Sequence, residues 1–232
     1  MKKNLAIIPA RAGSKGFPDK NIAQIGGKTL IELAIDVAKQ SSLIDDIYIS
    51  TDSKMYEDIA IKAGAISLGL RSSILSGDEV KTIDVVFDLL NRLNNEYDYI
   101  ILLQPTSPIR SGEDIDNMIR EVERKNVEAA VSVAKIEEPH PYKMKKINIC
   151  GYVESLIQST TSESPRQLLP EVYALNGAIY VIKMKVLLEE MTFLPKKTIP
   201  YFMSHCLNID TKMDYEIINA LASIGMIEVP SA

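Results

Sequence analysis

Short apolar runs alternate along the chain with longer stretches whose apolar positions recur every three to four residues. The short runs suit strands buried on both faces, and the longer stretches suit amphipathic helices packed across them. Strands are expected at Leu5–Pro9, Asp46–Ser50, Ile66–Leu70, Tyr99–Leu103, Ala129–Val133 and Ala178–Ile182, with a short one at Cys206–Ile209. Helices are expected at about Thr29–Gln40, Lys54–Ala63, Val80–Asn94, Gly112–Lys125, Lys183–Glu190 and Lys212–Ile224. In the first of these, Leu30, Leu33, Ala34, Val37 and Ala38 form one apolar stripe. Thr51-Asp52-Ser53 and Ser111-Gly112-Glu113-Asp114 supply polar side chains for the free amides at helix starts. The alternation predicts an α/β fold, a doubly wound and mostly parallel sheet. Such sheets bind ligands beyond the carboxyl ends of their strands, so candidate chemistry is sought there.

Residues Glu137 to Pro170 break the rhythm with Pro139, Pro141, Pro165 and Pro170 and mixed polarity. An excursion from the sheet is expected at about 137–172, within one domain spanning 1–232. The 232-residue chain is 46% hydrophobic and 25% charged, the composition of an ordinary globular protein. Its net charge of -5 argues against a nucleic-acid partner. Cys150 and Cys206 lie far apart with no metal-ligand spacing, which suits free thiols in a reducing compartment. The opening run Leu5-Ala6-Ile7-Ile8 stops at Pro9, too short for a signal-peptide core or a membrane span. A soluble cytoplasmic protein without membrane contact is the expectation.

The first strand runs directly into Pro9-Ala10-Arg11-Ala12-Gly13-Ser14-Lys15-Gly16-Phe17-Pro18-Asp19-Lys20-Asn21. Two glycines allow tight turns that aim amides inward, and Arg11, Lys15 and Lys20 add three cations. Amides and cations converging at a strand end make a polyphosphate site. Two familiar nucleotide motifs fail here. A P-loop ending at Gly27-Lys28-Thr29 would need glycine where Ile22 stands, and Gly13 and Gly16 lack the third glycine of a dinucleotide fingerprint.

The run Ile8-Pro9-Ala10-Arg11-Ala12-Gly13-Ser14-Lys15-Gly16, with Lys20-Asn21 behind it, strongly resembles the signature of the N-acylneuraminate cytidylyltransferases, or CMP-sialic acid synthetases. Related enzymes use legionaminic or pseudaminic acid, and the CMP-Kdo synthetases are more distant. The resemblance extends through five ordered motifs to about Asp214. It implies a nucleotide-diphospho-sugar-transferase-like fold with an inserted dimerisation arm, CTP and an acidic nine-carbon sugar as substrates, Mg2+ as cofactor and a homodimer. It also implies that Ala10, Arg11, Gly13, Ser14, Lys20 and Asn21 hold the nucleotide, with Arg11 and Lys20 also catalytic.

Leu68-Gly69-Leu70-Arg71 and the following Ser76-Gly77-Asp78 lead toward Thr82. A guanidinium and small polar groups at a strand end suit either a base edge or ordinary surface capping; the resemblance implies that Arg71 and Thr82 recognise cytosine. In Leu102-Leu103-Gln104-Pro105-Thr106-Ser107-Pro108-Ile109-Arg110, Gln104 interrupts an apolar strand, where an amide needs partners. It reads as a satisfied core amide or, by resemblance, as a sugar contact. The Kdo enzymes usually carry a metal-binding aspartate there, so Gln104 favours the sialic-acid branch. By the same resemblance, Lys143 and Arg166 contact the acidic sugar, as cations suit a carboxylate. Asn176 and Tyr180 would lie near it, although Tyr180 equally suits strand packing. His140 is assigned no chemistry.

The last motif is Leu207-Asn208-Ile209-Asp210-Thr211, followed by Asp214. The family commonly has two aspartates spaced two apart, which share one strand face and one hard cation. Here the first is Asn208, which leaves Asp210 as the catalytic metal ligand and Asp214 as a first-turn helix carboxylate. The expected reaction is attack by a sugar's anomeric hydroxyl on the α-phosphorus of CTP, releasing pyrophosphate, and no residue stands out as its general base. The alternatives are a cytidylyltransferase for legionaminic, pseudaminic or Kdo-type acid, a non-catalytic nucleotide binder and a uridylyltransferase.

Overall fold

The computed structural model describes residues 2–157, 164–204 and 207–229. In chain order its strands are β1 (Asn4–Pro9), β2 (Gln24–Ile25), β3 (Lys28–Thr29), β4 (Asp46–Ser50), β5 (Tyr99–Leu102), β6 (Ala129–Lys135), β7 (Lys145–Ile147), β8 (Val153–Ser155), β9 (Tyr173–Lys183) and β10 (Thr198–Met203). The helices are α1 (Leu30–Gln40), α2 (Lys54–Ala63), α3 (Thr82–Arg92), α4 (Gly112–Arg124), α5 (Met184–Glu190) and α6 (Lys212–Ser223). Six strands form one sheet in the order β10-β6-β9-β5-β1-β4. All its pairings are parallel except those of β9, which runs antiparallel to both β5 and β6.

Strand alternation places the core on both faces. In β1, Ala6 and Ile8 pack with Ile35 of α1 and Ile119 of α4, while Leu5 and Ile7 pack with Val86 and Leu89 of α3 and Leu187 of α5. Each buried Leu, Ile or Val among them contributes roughly 1.5–3 kcal/mol, which explains why the short central strands are largely apolar. A third cluster joins Leu30 and Leu33 to Ile209 and Ile218, so α6 holds the segment before it against α1. Capping boxes start three helices: Thr29 with Glu32, Ser111 with Asp114 and Thr211 with Asp214. Each satisfies amides that would otherwise lack partners. Among the described residues no helix is long and apolar enough to cross a membrane.

Three expected elements differ. Ile66–Leu70 is not a strand: only Ile66 bridges to Tyr48, and Gly69 at φ +87 turns the chain out of the ladder. Among its described residues the segment expected at Cys206–Ile209 forms no ladder, although the Ile209 amide donates to the Thr106 carbonyl at 2.8 Å; Cys206 lies outside the described residues. The sheet ends instead on β10, whose Pro200 obscured the pattern; an edge strand tolerates a residue without an amide proton. Strand β9 begins earlier than expected because its pairing with β6 shifts register between Val131 and Val133, which spoils a regular alternation.

Between β6 and β9 the chain leaves the sheet. A single 3-10 turn at Pro141–Lys143 leads into the antiparallel pair β7–β8, and another spans Arg166–Leu168. Near its base, His140 Nε2 lies 3.0 Å from the Pro170 carbonyl and its Nδ1 accepts from the Tyr142 amide, a structural use of both nitrogens.

Candidate active site

The exits of β1 and β5, the segment 71–85 and the residues Asn208 and Asp210 line a cleft of about 560 Å3. Each wall follows from local backbone demands. Beyond β1, the Ala10 amide donates to the Ser50 carbonyl at 2.9 Å, and the Ala12 amide donates to Asp52 Oδ1 at 2.9 Å. Asn21 Nδ2 donates to the Arg11 carbonyl at 3.0 Å, pulling the loop back on itself. At its far end Asp19 sits at φ 55 and accepts a 2.8 Å bond from the Tyr56 hydroxyl, whose pKa burial and this bond push up.

Two glycines shape the loop between these anchors. Gly13 has φ +71, and a β-carbon on Gly16 would stand 2.9 Å from the Asp210 carbonyl oxygen. The loop therefore rests directly on the segment carrying Asp210, an approach that a side chain at position 16 would obstruct.

Its cations are held by carboxylates. Arg11 Nη2 lies 2.5 Å from Asp78 Oδ1 and Nη1 donates to the Ser76 carbonyl at 3.2 Å, while Lys15 Nζ lies 2.6 Å from Asp78 Oδ2. Lys15, then Arg11, hold the Asp78 carboxyl below its ordinary pKa. Lys20 Nζ lies 3.0 Å from Asp210 Oδ1, and Asn208 Nδ2 donates to Asp210 Oδ2 at 2.7 Å.

Arg71 forms a second wall. It is buried, with Nη1 donating to the Ser50 carbonyl at 3.2 Å and Nε to Ser76 Oγ at 3.1 Å. Burial lowers its pKa, Asp52 and Asp88 oppose that and Arg11 adds to it, yet a guanidinium stays charged. Thr82, the first residue of α3, lines the cleft with it.

Gln104 follows the end of β5, and the Leu103 amide before it donates to the Ile7 carbonyl at 3.0 Å. Gly177, at φ +71, lies behind it: a β-carbon there would come within 2.8 Å of Gln104 Oε1 and 3.0 Å of Ser107 Oγ. The Ser107 hydroxyl lies 3.1 Å from the Asn176 carbonyl and 3.2 Å from Asn208 Oδ1. A chain of contacts thus runs from β9 through Ser107 and Asn208 to Asp210.

Arg11, Ser14, Lys20, Asn21, Arg71, Thr82, Gln104 and Asp210 accordingly share one cleft, with Ala10 and Gly13 in its loop. Lys143, Asn176 and Tyr180 are not brought to its wall. The Asn176 side chain is buried, accepting from Ser132 Oγ at 2.6 Å and from the Ala178 amide at 3.1 Å. Tyr180 pairs with Leu102 on the α3 face, its ring 5.8 Å from that of Phe193, and burial raises its pKa. Lys143 is exposed in the excursion, and the side chain of Arg166 lies outside the described residues.

Ser76, Asp78 and Ser107 stand within the sequence motifs, but the partners they meet do not show there. No local spacing signals them, since Asp78 meets Arg11 across 67 residues and Ser107 meets Asn208 across 101.

The donor set bears on magnesium. Among the described residues no three His, Cys, Asp or Glu side chains cluster as a cage. Asp214 Oδ2 is committed to the Thr211 amide and hydroxyl, which leaves Asp210, whose Oδ1 faces Lys20 and whose Oδ2 accepts from Asn208, as the carboxylate of this segment that lines the cleft. One carboxylate beside a glycine loop rich in cations fits magnesium, which takes one or two carboxylates, water and substrate oxygens.

A family model described as cytidylyltransferase matches residues 5–164. A CMP-N,N'-diacetyllegionaminic acid synthase of Legionella pneumophila is 36% identical, over 95% of this chain and 97% of its own. An N-acylneuraminate cytidylyltransferase of Streptococcus agalactiae is 34% identical over 92% of this chain and 52% of its own, so this chain spans about half the length of that relative. A solved CMP:2-keto-3-deoxy-manno-octonic acid synthetase complexed with CTP superposes with a TM-score of 0.71 at 19% identity, over 96% of this chain and 99% of that one, a likeness of fold.

Proposed function

The chain belongs to the cytidylyltransferase family, and from that premise we propose that it transfers CMP from CTP to the anomeric hydroxyl of a nine-carbon acidic keto sugar of the sialic-acid type. The observation that carries this reading is one cleft lined both by a cationic glycine loop and by the buried Arg71 and Thr82.

Phosphoryl transfer of this kind depends on alignment and on neutralising charge at the transferred and departing groups. Amides around Gly13, with Arg11 and Lys20, hold the triphosphate. Arg71 and Thr82 select cytosine, and Gln104 orients the sugar beside the α-phosphorus. Asp210 is the residue that would hold magnesium, which when bound screens the phosphate charge and draws electron density from the α-phosphorus. Both carboxylates lining the cleft, Asp78 and Asp210, are engaged by lysine or arginine, so neither stands free to take the sugar's proton.

Lys143 and Arg166 reach a sugar only if the excursion approaches a cleft, and a homodimer in which each arm serves its partner achieves that. The exposed apolar side chains of the arm, Ile147, Ile149, Tyr152, Val153 and Leu156, support such an assembly. A cytosolic location, with CTP at hand, suits the activity.

Pyrophosphate release tests the reading. The protein is incubated with CTP, magnesium and, separately, N-acetylneuraminic, N,N'-diacetyllegionaminic and pseudaminic acids and Kdo. Release is expected with at least one nine-carbon acid and is lost with EDTA or with UTP in place of CTP. CTP binding without release on any acid overturns the transferase reading in favour of a nucleotide-binding relative, a reading to which Asn208 in place of a carboxylate lends weight.

A further inference from the structure

We propose that Asp78 is an internal counter-ion that competes with phosphate for Arg11 and Lys15, and thereby sets the affinity of the cleft for CTP and the ease with which pyrophosphate leaves. The proposal rests on the cytidylyltransferase reading and adds a residue to it.

Asp78 divides its two oxygens between two cations of one loop, at 2.5 Å from Arg11 and 2.6 Å from Lys15. A phosphate oxygen pair would engage the same two groups, so carboxylate and phosphate exclude each other there. The segment bearing Asp78 is attached on the same principle. Its 3-10 turn, Ser73–Ser76, offers the Ser76 carbonyl to Arg11 at 3.2 Å and the Ser76 hydroxyl to Arg71 at 3.1 Å. Both are groups that a nucleotide needs. Little apolar packing holds the turn from outside, since the Ile74 side chain is 83% exposed.

The strength of these contacts suits exchange. Lys15 is 84% exposed on its side chain and Asp78 34%, so the pair is screened by water and weak. A triphosphate, with several charges against the single charge of Asp78, displaces it. The carboxylate nevertheless remains nearby as a like charge, which weakens binding of every phosphate at these cations. When pyrophosphate is the occupant, the same repulsion, and the return of Asp78 to Arg11 and Lys15, favour departure.

Asp78→Asn removes the charge and keeps the size, and Asp78→Ser does so with a smaller group. Calorimetry at low ionic strength compares each with the parent, using inorganic pyrophosphate in one arm and CTP against UTP in the other. Both variants are expected to bind pyrophosphate and CTP about three- to tenfold more tightly, and inhibition of turnover by added pyrophosphate deepens by a similar factor. A residue serving only to hold the segment in shape would move affinity the other way when lost. Unchanged or weaker pyrophosphate binding in a variant that melts like the parent overturns the counter-ion role. Equal affinity for CTP and UTP in the parent instead overturns the cytidine reading, while leaving the pyrophosphate arm to decide about Asp78.

Discussion

At Arg11, charge and backbone meet in one residue. Its carbonyl fastens Asn21 and so closes the loop, while its guanidinium reaches Asp78 and the Ser76 carbonyl across the cleft. Removing the guanidinium leaves the backbone bond intact. Arg11→Ala is therefore expected to lower kcat/KM about 10²- to 10³-fold while the melting temperature stays within a few degrees, measured by steady-state pyrophosphate release and thermal unfolding. A variant with parental turnover removes Arg11 from the chemistry. At this scale the residue types were readable wherever their neighbours in sequence are also their neighbours in space, as in the glycine loop. Arg71 and Gln104 stand out as polar side chains beside apolar runs, but that pattern alone suits a structural use equally, and their expected roles come from the family resemblance. The contacts of Asp78 were not readable, because its partners are Arg11 and Lys15, distant in the chain. Asn176 stands beside a glycine in the motif and turns inward to Ser132, a direction set by the strand register rather than by residue type.

Among the elements, all six helices lie within two residues of their expected bounds, since each pairs an apolar stripe with a polar cap or a buried face. Strands were legible when buried on both sides, as in β1 and β5, and obscure at the margins. The edge strand β10 carries Pro200 and alternates in exposure, and Leu207–Asp210 is held by packing of Ile209 rather than by a ladder. The excursion was visible only as an interruption. Its hairpin β7–β8 has no core of its own, and Ile149 and Tyr152 are 103% and 71% exposed. If these side chains meet a partner copy, Ile149→Glu with Tyr152→Glu shifts sedimentation from a dimer to a monomer and reduces turnover by removing Lys143 and Arg166 from the partner's cleft. A parent that sediments as a monomer at assay concentration contradicts the dimer.

Across the whole molecule, the site lies where the sheet topology opens. Strand β1 sits between β5 and β4, and connections leave their carboxyl ends in different directions, creating a crevice. The strand ends thus point to the loop and Gln104, whereas Arg71 follows a segment that is not a strand, and the antiparallel β9 between β5 and β6 has no signal of this kind. That strand matters, because it brings Gly177 and the Asn176 carbonyl behind Gln104 and Ser107. In the proposed reading one cleft recognises CTP at both ends, with loop amides and cations on the triphosphate and Arg71 with Thr82 on the base. A crystal structure of the protein with CTP and magnesium tests it most directly. Phosphate oxygens are expected against the amides near Gly13 and the side chains of Arg11 and Lys20, and cytosine against Arg71. A nucleotide bound elsewhere, with this loop making no contact to it, would overturn that reading.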